Sequence, residues 1–399
     1  MTETPPAPSP RTAPAILAAL AALFVGVGLA RFAYTPLLPA VVAAGWFGPD
    51  QAAYLGAANL GGYLLGAIAG RWSMAHASRA APLLMLATAA TFLACAAPLP
   101  FWWFVLWRFV SGLTGGALMV IAAPAALRIV PPARRGLAGG LIFAGVGLGI
   151  AGSGFLVPQL LKIGLGAAWA AIGALAVAVT LATWRGWPPD VAVSRAETVA
   201  ATSGRPWPLS ATVLIVVYGV IAAGLVPHMV FLVDFIARGL GAGITAGATW
   251  WVVFGASATV GPAIFGALAD RIGFGNALAC ALTLQIGAIG VLLISTGPLA
   301  LALTSVVVGA YVPGSAPLVL GRLREIFHDP VRQQIAWSRG TIVFSLGQAG
   351  SAWLLSVVFA HTGDHRVLFG FGAGAFALAL LLDRATAVIE ARRRTPHGS

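Results

Sequence analysis

Arg31 is the residue whose type and position point most directly to chemistry, because it is the only charge between Arg11 and Asp50. An apolar segment of that length predicts a membrane-spanning helix. Arg31 stands eleven residues before Val42, near the predicted outer end, which places it about 16 Å deep in a core about 30 Å thick. A guanidinium at that depth costs about 2.5–3.5 kcal/mol on insertion scales and is usually functional. The functional interpretation is a bidentate clamp for a carboxylate, and the structural alternative is an ion pair or carbonyl contact inside the bundle.

His228, in the seventh apolar segment, is a candidate carrier of a coupling proton. It lies eleven residues before Gly239, so its depth matches that of Arg31. Aligning Gly28 with Gly224 places it opposite Phe32, one residue past Arg31 in an internal repeat. A histidine titrates near physiological pH. The alternative is a neutral, hydrogen-bonded interior histidine, and both interpretations stay open.

Asp234 is the only acid that we place within a predicted span. Protonation of a partly desolvated carboxylate can couple transport to a proton gradient. Arg238 follows one helical turn later, so the alternative is an Asp234–Arg238 pair that anchors the helix at the outer rim. Asp234 lies about 7–8 Å from the outer end, which keeps this alternative open.

Arg108 is a second arginine within a predicted span, about 12 Å inside the fourth segment when counted from Pro100. A role near the cavity is one interpretation, and a hydrogen-bonding brace between helices is the other. Weaker candidates for substrate contact, each with helix–helix hydrogen bonding as the alternative, are Tyr34, Asn59, Tyr311 and Gln348.

The composition indicates a polytopic helical membrane protein. Of the 399 residues, 59% are hydrophobic and 9% are charged, and the mean hydropathy is +0.92, whereas soluble domains carry about 25% charged residues. Loops and charges divide the chain into twelve predicted spans. These are residues 14–43, 50–70, 80–98, 100–128, 136–160, 166–185, 209–238, 245–269, 275–296, 299–323, 334–360 and 365–387.

The basic residues predict the orientation of these spans. With the N-terminus inside, eighteen arginines fall in cytoplasmic loops and ends, against three basic residues outside. The net charge of +12 is therefore interpreted as topology control and not as nucleic-acid binding. A polar segment, residues 186–208, separates a predicted six-helix bundle at 1–185 from a second at 209–399. Repeated halves of this kind place a substrate site near the membrane midplane.

A loop motif carries a resemblance to a known superfamily. Gly266, Asp270, Arg271 and Gly273 match the Gly-x-x-x-Asp-Arg-x-Gly motif of the major facilitator superfamily, and the first-half copy ending at Arg71 is weaker. The matching charges lie at predicted cytoplasmic helix ends, where they can latch neighbouring helices in one state of a cycle. A pure topology signal is the alternative. The gating residues that we predict are Arg71, Gly266, Asp270 and Arg271.

Two longer runs are more specific. Residues 28–39 and 227–241 together resemble the bacterial YbfB/YjiJ transporters, and the resemblance covers essentially the whole chain. In span four, the Arg108 motif resembles the family's Arg-x-x-x-Gly pattern, which implies gating or proton coupling for this residue. Span five carries Ile150 where antiporters of the superfamily usually have proline, which weakens an antiport interpretation. Its glycines are equally suited to close helix packing.

The prediction is an all-α membrane protein with twelve transmembrane helices in two pseudo-symmetric bundles. We expect a secondary transporter that works by alternating access and moves a small, monocarboxylate-like organic anion with a proton. The alternatives are a proton-driven exporter of drugs or metabolites and a membrane sensor without turnover. We expect no enzyme activity, no cofactor and no metal, and a monomer in the bacterial inner membrane with both termini in the cytoplasm. No phosphate-binding loop motif is present, so ATP is not the expected energy source.

Overall fold

The computed structural model describes residues 12–190 and 206–394, which are almost entirely helical and contain no strand. Twelve helices, α1 to α12, follow one another in these residues. Two are composite. α1 comprises Thr12–Leu23, a π-helical segment Phe24–Phe32 and Tyr34–Ala43, and α7 comprises Leu209–Val226, Leu232–Asp234 and the π-helical segments Pro227–Phe231 and Phe235–Gly239. The others are α2 Pro49–Ser73, α3 Ala77–Ala94, α4 Phe101–Leu127, α5 Arg135–Leu161, α6 Leu165–Thr183, α8 Gly243–Ile272, α9 Phe274–Ile294, α10 Pro298–Ile326, α11 Pro330–Thr362 and α12 His365–Arg394.

Eleven of the described helices are long and apolar enough to cross a membrane. The architecture of an all-helical membrane protein, predicted from the sequence, is therefore confirmed.

The chain divides into two compact units, Met1–Ala192 and Val193–Ser399. Unit 1 contains α1 to α6 and unit 2 contains α7 to α12. Most of the predicted linker, residues 186–208, lies outside the described residues, and the domain limits drawn from the sequence stay a prediction. Within unit 1, α4 packs against α1, α2 and α3, and α1 packs against α5. Unit 2 repeats this pattern internally, with α10 against α8 and α9, and α7 against α11.

Glycines allow these helices to approach closely. A methyl group at Gly112 of α4 would overlap the backbone of Asn59 in α2, and one at Gly149 of α5 would overlap the backbone of Gly28 in α1. Small residues at such contacts let two backbones meet in van der Waals contact. By contrast, nothing lies within 4 Å of a methyl group built at Gly152 or Gly154. Part of the glycine run in α5 is therefore a packing face.

Two helices begin against carboxylates from distant residues. Asp190 of unit 1 accepts hydrogen bonds from the Ser78 amide (2.8 Å) and hydroxyl (2.7 Å) in the first turn of α3. In unit 2, Glu325 accepts from the Phe274 amide that begins α9 (3.0 Å) and pairs with Arg322 (2.7 Å). A helix N-terminus carries unsatisfied amides and a partial positive charge, so a carboxylate there is stabilising.

Gly149 provides a test of the packing between α1 and α5. We expect Gly149→Val to destabilise the protein by about 1–3 kcal/mol or more, because the added atoms have no space beside Gly28. The matched control is Gly154→Val on the same helix, where a methyl group meets open space. The measurement is thermal unfolding in detergent together with the yield of monodisperse protein. Equal stability of the two variants would contradict the packing assignment.

Asp190 provides a test that depends on pH. Burial raises the pKa of this carboxyl, but the hydrogen bonds from Ser78 and the charges of His76 and Arg79 outweigh it, so the pKa is lowered in the folded protein. The stabilisation is therefore complete above the unfolded-state pKa, about 3.9, and is lost as pH falls through the lower folded-state value. We expect Asp190→Ala to cost about 1 kcal/mol at pH 7, as for the loss of a helix cap.

The measurement for Asp190 is the melting temperature of wild type and Asp190→Ala between pH 7 and pH 3. The difference between them is expected to be constant above about pH 5 and to shrink below about pH 4. A difference that persists unchanged at the lowest pH would show that the carboxylate charge is not its cause.

Candidate functional site

Arg31 lies near the end of the π-helical segment of α1. Its side chain is partly exposed, its guanidinium carbon stands 5.4 Å from the centre of the Phe32 ring, and it interacts electrostatically with buried Tyr63 of α2. π-Helical turns are rare and occur frequently at functional sites. The sequence did not predict this geometry, although two glycines in the same segment are the signal that was available. The depth of Arg31 was predicted, and its local backbone was not.

Arg108 reaches the backbone beside Arg31. Its side chain is 3% exposed, its Nη1 donates to the Ala30 carbonyl (2.7 Å), and its guanidinium carbon lies 4.5 Å from the centre of the Tyr34 ring. The Ser111 hydroxyl makes a longer contact with the same carbonyl (3.4 Å). The Nε atom of Arg108 is buried and has no hydrogen-bond partner among the described residues. The second guanidinium of unit 1 is thus anchored one residue from Arg31.

The other two candidates of unit 1 surround Arg108. Asn59 of α2 is 2% exposed, and its Nδ2 donates to the Arg108 carbonyl (3.3 Å), which is a helix–helix brace. Tyr34 is 4% exposed and lies between Arg108 and Trp169 of α6, whose ring centre is 6.3 Å from its own. The structure therefore brings Arg31, Tyr34, Asn59 and Arg108 into one region. Trp169 is a further member that the sequence analysis missed.

The charge of this region is positive. In the sequence, no Asp or Glu occurs between Asp50, in the first turn of α2, and Asp190, so helices α3 to α6, which include Arg108, contain no acid. The Asp190 carboxylate accepts a hydrogen bond from the Ser78 amide at the start of α3. Helices α3 to α6 therefore supply no carboxylate that could balance the charge of Arg108.

His228 of unit 2 lies in the π-helical segment Pro227–Phe231 of α7. The side chain is fully buried, Nε2 is 2.7 Å from the Thr304 hydroxyl of α10, and the ring centre is 4.9 Å from that of Phe369 in α12. Its Nδ1 is buried and has no hydrogen-bond partner among the described residues. Thr304 was not among the predicted site residues, because a threonine within a span carries no distinctive signal.

The starts of three helix pairs relate residues of unit 2 to residues of unit 1. Leu209, which begins α7, follows the first residue of α1 by 197 positions, and the starts of α9 and α10 follow those of α3 and α4 by the same interval. This interval places His228 opposite Arg31, whereas the alignment of Gly28 with Gly224 places it opposite Phe32, one residue further along. Both residues lie on π-helical segments at the corresponding position of their units.

The remaining candidates of unit 2 are polar and buried. Gln348 of α11 donates from Nε2 to the Met229 sulfur (3.3 Å), next to His228. Tyr311 of α10 is fully buried between Phe265 and Phe376, and its hydroxyl has no hydrogen-bond partner among the described residues. Gln348 is therefore close to His228, because it contacts the next residue, Met229. Tyr311 lies two turns beyond Thr304 on α10.

The predicted gating residues have different environments. Gly266 is buried in α8, whereas Asp270 and Arg271 are exposed in its last turn. Gly273 ends the motif with φ +82, a conformation that favours glycine, and a methyl group there would lie 3.7 Å from Glu325. The side chains of Asp234 and Arg71 lie outside the part of the chain that the structure describes. The Glu325–Arg322 ion pair was not predicted, although the i,i+3 spacing of the two residues in the sequence could have indicated it.

Comparisons with known proteins identify the family. One solved structure of similar fold is the transporter FucP in the outward conformation, with 15% identity, coverage of 93% of this chain and 98% of that chain, and a TM-score of 0.71. A second is the human organic anion transporter MFSD10, with 16% identity, coverage of 94% and 100%, and a TM-score of 0.72. A third is a bacterial homologue of the iron transporter ferroportin in the outward-facing state, with 15% identity, coverage of 93% and 99%, and a TM-score of 0.66. No curated protein sequence matches the chain.

A family model supplies the assignment that these distant structures cannot. The model described as "Uncharacterised MFS-type transporter YbfB" matches residues 23–384. The resemblance drawn from residues 28–39 and 227–241 is therefore confirmed. The chain belongs to the YbfB-type family of major facilitator superfamily transporters.

Proposed function

We propose that this transporter moves a small organic anion, with one carboxylate, together with a proton. The observation that carries the proposal is the contact of Arg108 Nη1 with the Ala30 carbonyl (2.7 Å), which anchors a second guanidinium one residue from Arg31. Two like charges in an apolar bundle repel each other and lose hydration. An anionic substrate offsets both costs when it binds, and a carboxylate matches the planar fork of a guanidinium.

Proton coupling is the second part of the proposal. A substrate anion that travels with a proton adds no net charge to the loaded carrier, which lowers the cost of moving it through the membrane interior. His228 and Asp234 are the titratable residues that we propose for this proton, and Arg108 lies where its charge can respond to substrate. Alternating access of the two halves would expose the residues to each side in turn.

The distribution of the basic residues supports the orientation that we propose for the protein in the membrane. The proposed setting is a bacterial inner membrane with both termini in the cytoplasm, and the eighteen arginines on one side of the predicted topology support this orientation. Asp270 and Arg271, with Arg71 in the first half, are proposed to latch helix ends on that side. Nothing in this arrangement requires more than a monomer.

Proteoliposomes provide the test of substrate class. Purified protein would be reconstituted with an alkaline interior, and uptake of labelled hydrophilic carboxylates, organic cations and neutral sugars would be compared. Protein-free vesicles control for passage of the protonated acid through lipid. We expect carboxylate uptake that collapses with the pH gradient. Transport of cations alone would favour the drug-exporter alternative, and no transport of any class would favour the sensor alternative, so either result would overturn the proposal.

Arg31 is the first residue to test. We expect Arg31→Ala to lower carboxylate uptake at least about 30-fold, the effect of losing a charged contact worth about 2 kcal/mol, while the protein stays folded. Arg31→Lys keeps the charge but loses the bidentate geometry, so an intermediate loss is expected. Arg134→Ala, at an exposed position between α4 and α5, is the matched control. Normal uptake by Arg31→Ala would refute the clamp, and unfolding would assign Arg31 a structural role.

A substitution at Arg108 can distinguish the effect of its charge from the effect of its hydrogen bond between α4 and α1. Arg108→Gln retains an N–H donor for the Ala30 carbonyl but removes the charge, so we expect a folded protein whose KM for carboxylate rises about tenfold. Ser111→Ala removes the longer contact to the same carbonyl and should leave KM unchanged. The measurements are uptake kinetics and the melting temperature of each variant. An unchanged KM in Arg108→Gln would mean that Arg108 only braces α1 against α4.

A further inference from the structure

The end of unit 2 that we propose to face the cytoplasm contains a cavity of about 640 Å³. Three helix ends line it: the start of α7, the end of α10 and the end of α12. A narrower recess shares several of these lining residues and adds Asp383 and Thr386 of α12. Binding sites for small molecules usually have volumes of about 300–1,000 Å³. The cavity is therefore large enough for a small organic ligand.

Side chains that carry oxygen atoms contribute most of the polar lining. Ser210 and Glu390 line both the cavity and the recess, Glu325 lines the cavity, and Asp383 and Thr386 line the recess. Ser210 is 9% exposed and Asp383 is 8% exposed, and the Ser210 hydroxyl forms no hydrogen bond with a described residue. Carboxylate and hydroxyl oxygens accept hydrogen bonds, whereas an ammonium group donates three and accepts none. The lining therefore matches an ammonium group.

Two arginines beside these carboxylates have partners within unit 2. Arg322 lines the cavity and pairs with Glu325 (2.7 Å), and a methyl group at Gly275 would lie 3.0 Å from its guanidinium carbon. Arg384 donates from Nε to Asp383 (2.9 Å) and from Nη2 to the Gly275 carbonyl (2.8 Å). Both guanidinium groups therefore lie against the start of α9, and each is balanced by one carboxylate.

Glu390 is the carboxylate that these two arginines leave unbalanced. It is partly buried near the end of α12 and forms no ion pair with a described residue. An opposite charge stabilises a carboxylate more strongly beside a protein wall than in open water, because the effective dielectric constant is lower. A metal ion would need several ligands close together, and the described residues include no group of three that could hold one.

We propose that this cavity binds a primary ammonium compound, with Glu390 as the counter-ion and the Ser210 hydroxyl and Asp383 carboxylate as further acceptors. The site uses none of the residues proposed for the transported anion and does not depend on the proposed function. Because three helix ends line the cavity, the bound compound connects α7, α10 and α12 at this end of unit 2. Two sources offer the same chemistry: a soluble amine, and the headgroup of phosphatidylethanolamine.

Binding of radiolabelled ethanolamine to the purified protein tests the ligand class. Choline is the matched competitor, because it has the same charge and a similar size but no N–H donor on its nitrogen. The assay would be run in detergent and in phosphatidylcholine nanodiscs. We expect ethanolamine to bind at least about tenfold more tightly than choline, the effect of losing a charged hydrogen bond. Equal affinities, or no binding of ethanolamine, would overturn the proposal.

Substitutions on α12 test the location of the site. Glu390→Gln removes the counter-ion at nearly constant size, so we expect ethanolamine to bind at least about tenfold more weakly. Ala387→Leu keeps every carboxylate but fills part of the cavity that Ala387 lines, so binding is expected to be lost. The matched control is Asp364→Asn, at the other end of α12, which is expected to bind ethanolamine as wild type does.

Melting temperatures would establish that each variant is folded. Wild-type affinity in folded Glu390→Gln or in folded Ala387→Leu would overturn the assignment to this cavity. The comparison of ethanolamine with choline in the wild-type protein still tests the ligand class if neither variant folds.

Lipid composition identifies the source of the ammonium group. If the lipid headgroup is the occupant, nanodiscs that contain phosphatidylethanolamine fill the site, and binding of soluble ethanolamine falls relative to phosphatidylcholine nanodiscs. Equal binding in the two kinds of nanodisc would assign the site to a soluble amine. Both results support an ammonium site and differ only in its occupant.

Discussion

Placing a guanidinium inside an apolar helix bundle is the constraint on which the arrangement of unit 1 depends. Lipid offers no hydrogen bonds, so the N–H groups of Arg108 need oxygen from the protein, and the Ala30 carbonyl supplies it at 2.7 Å. The Tyr34 ring covers the same guanidinium, which favours the cation by its quadrupole. Both contacts require α1 and α4 to lie close together. Gly115 permits this approach because it has no side chain. A methyl group at this position would overlap the Gly26 carbonyl.

The same scaffold carries different chemistry in the two units. The interval of 197 residues that relates the starts of three helix pairs also relates Gly112 to Gly309, and each lies against the backbone of its neighbouring helix. At the chemical positions the residues differ: His228 corresponds to Arg31, and Ser305 corresponds to Arg108. Unit 1 is thus suited to a permanent positive charge, and unit 2 to a group that titrates. This division of roles suits a carrier that binds an anion and a proton.

Each unit contains a buried polar atom near a predicted site residue that has no hydrogen-bond partner among the described residues. In unit 1 this atom is Nε of Arg108, which lies in α4, a helix that contains no acid. In unit 2, the imidazole of His228 has one partner for two nitrogens. Each of these atoms leaves one hydrogen-bonding position that the described residues do not fill.

The sequence by itself determined the helical class and the family, because hydropathy and motif residues are local properties, and the depth of Arg31 and His228 stays a prediction from helix rise. Only the tertiary structure decided which polar groups meet. The contacts of Arg108 with Ala30 and of His228 with Thr304 join residues 78 and 76 positions apart. Such contacts depend on how closely the helices approach, which the glycines permit but do not specify. The π-helical turns at Arg31 and His228 have local signals, the glycines of Phe24–Phe32 and the proline that begins Pro227–Phe231, but these signals do not by themselves specify a π-helix.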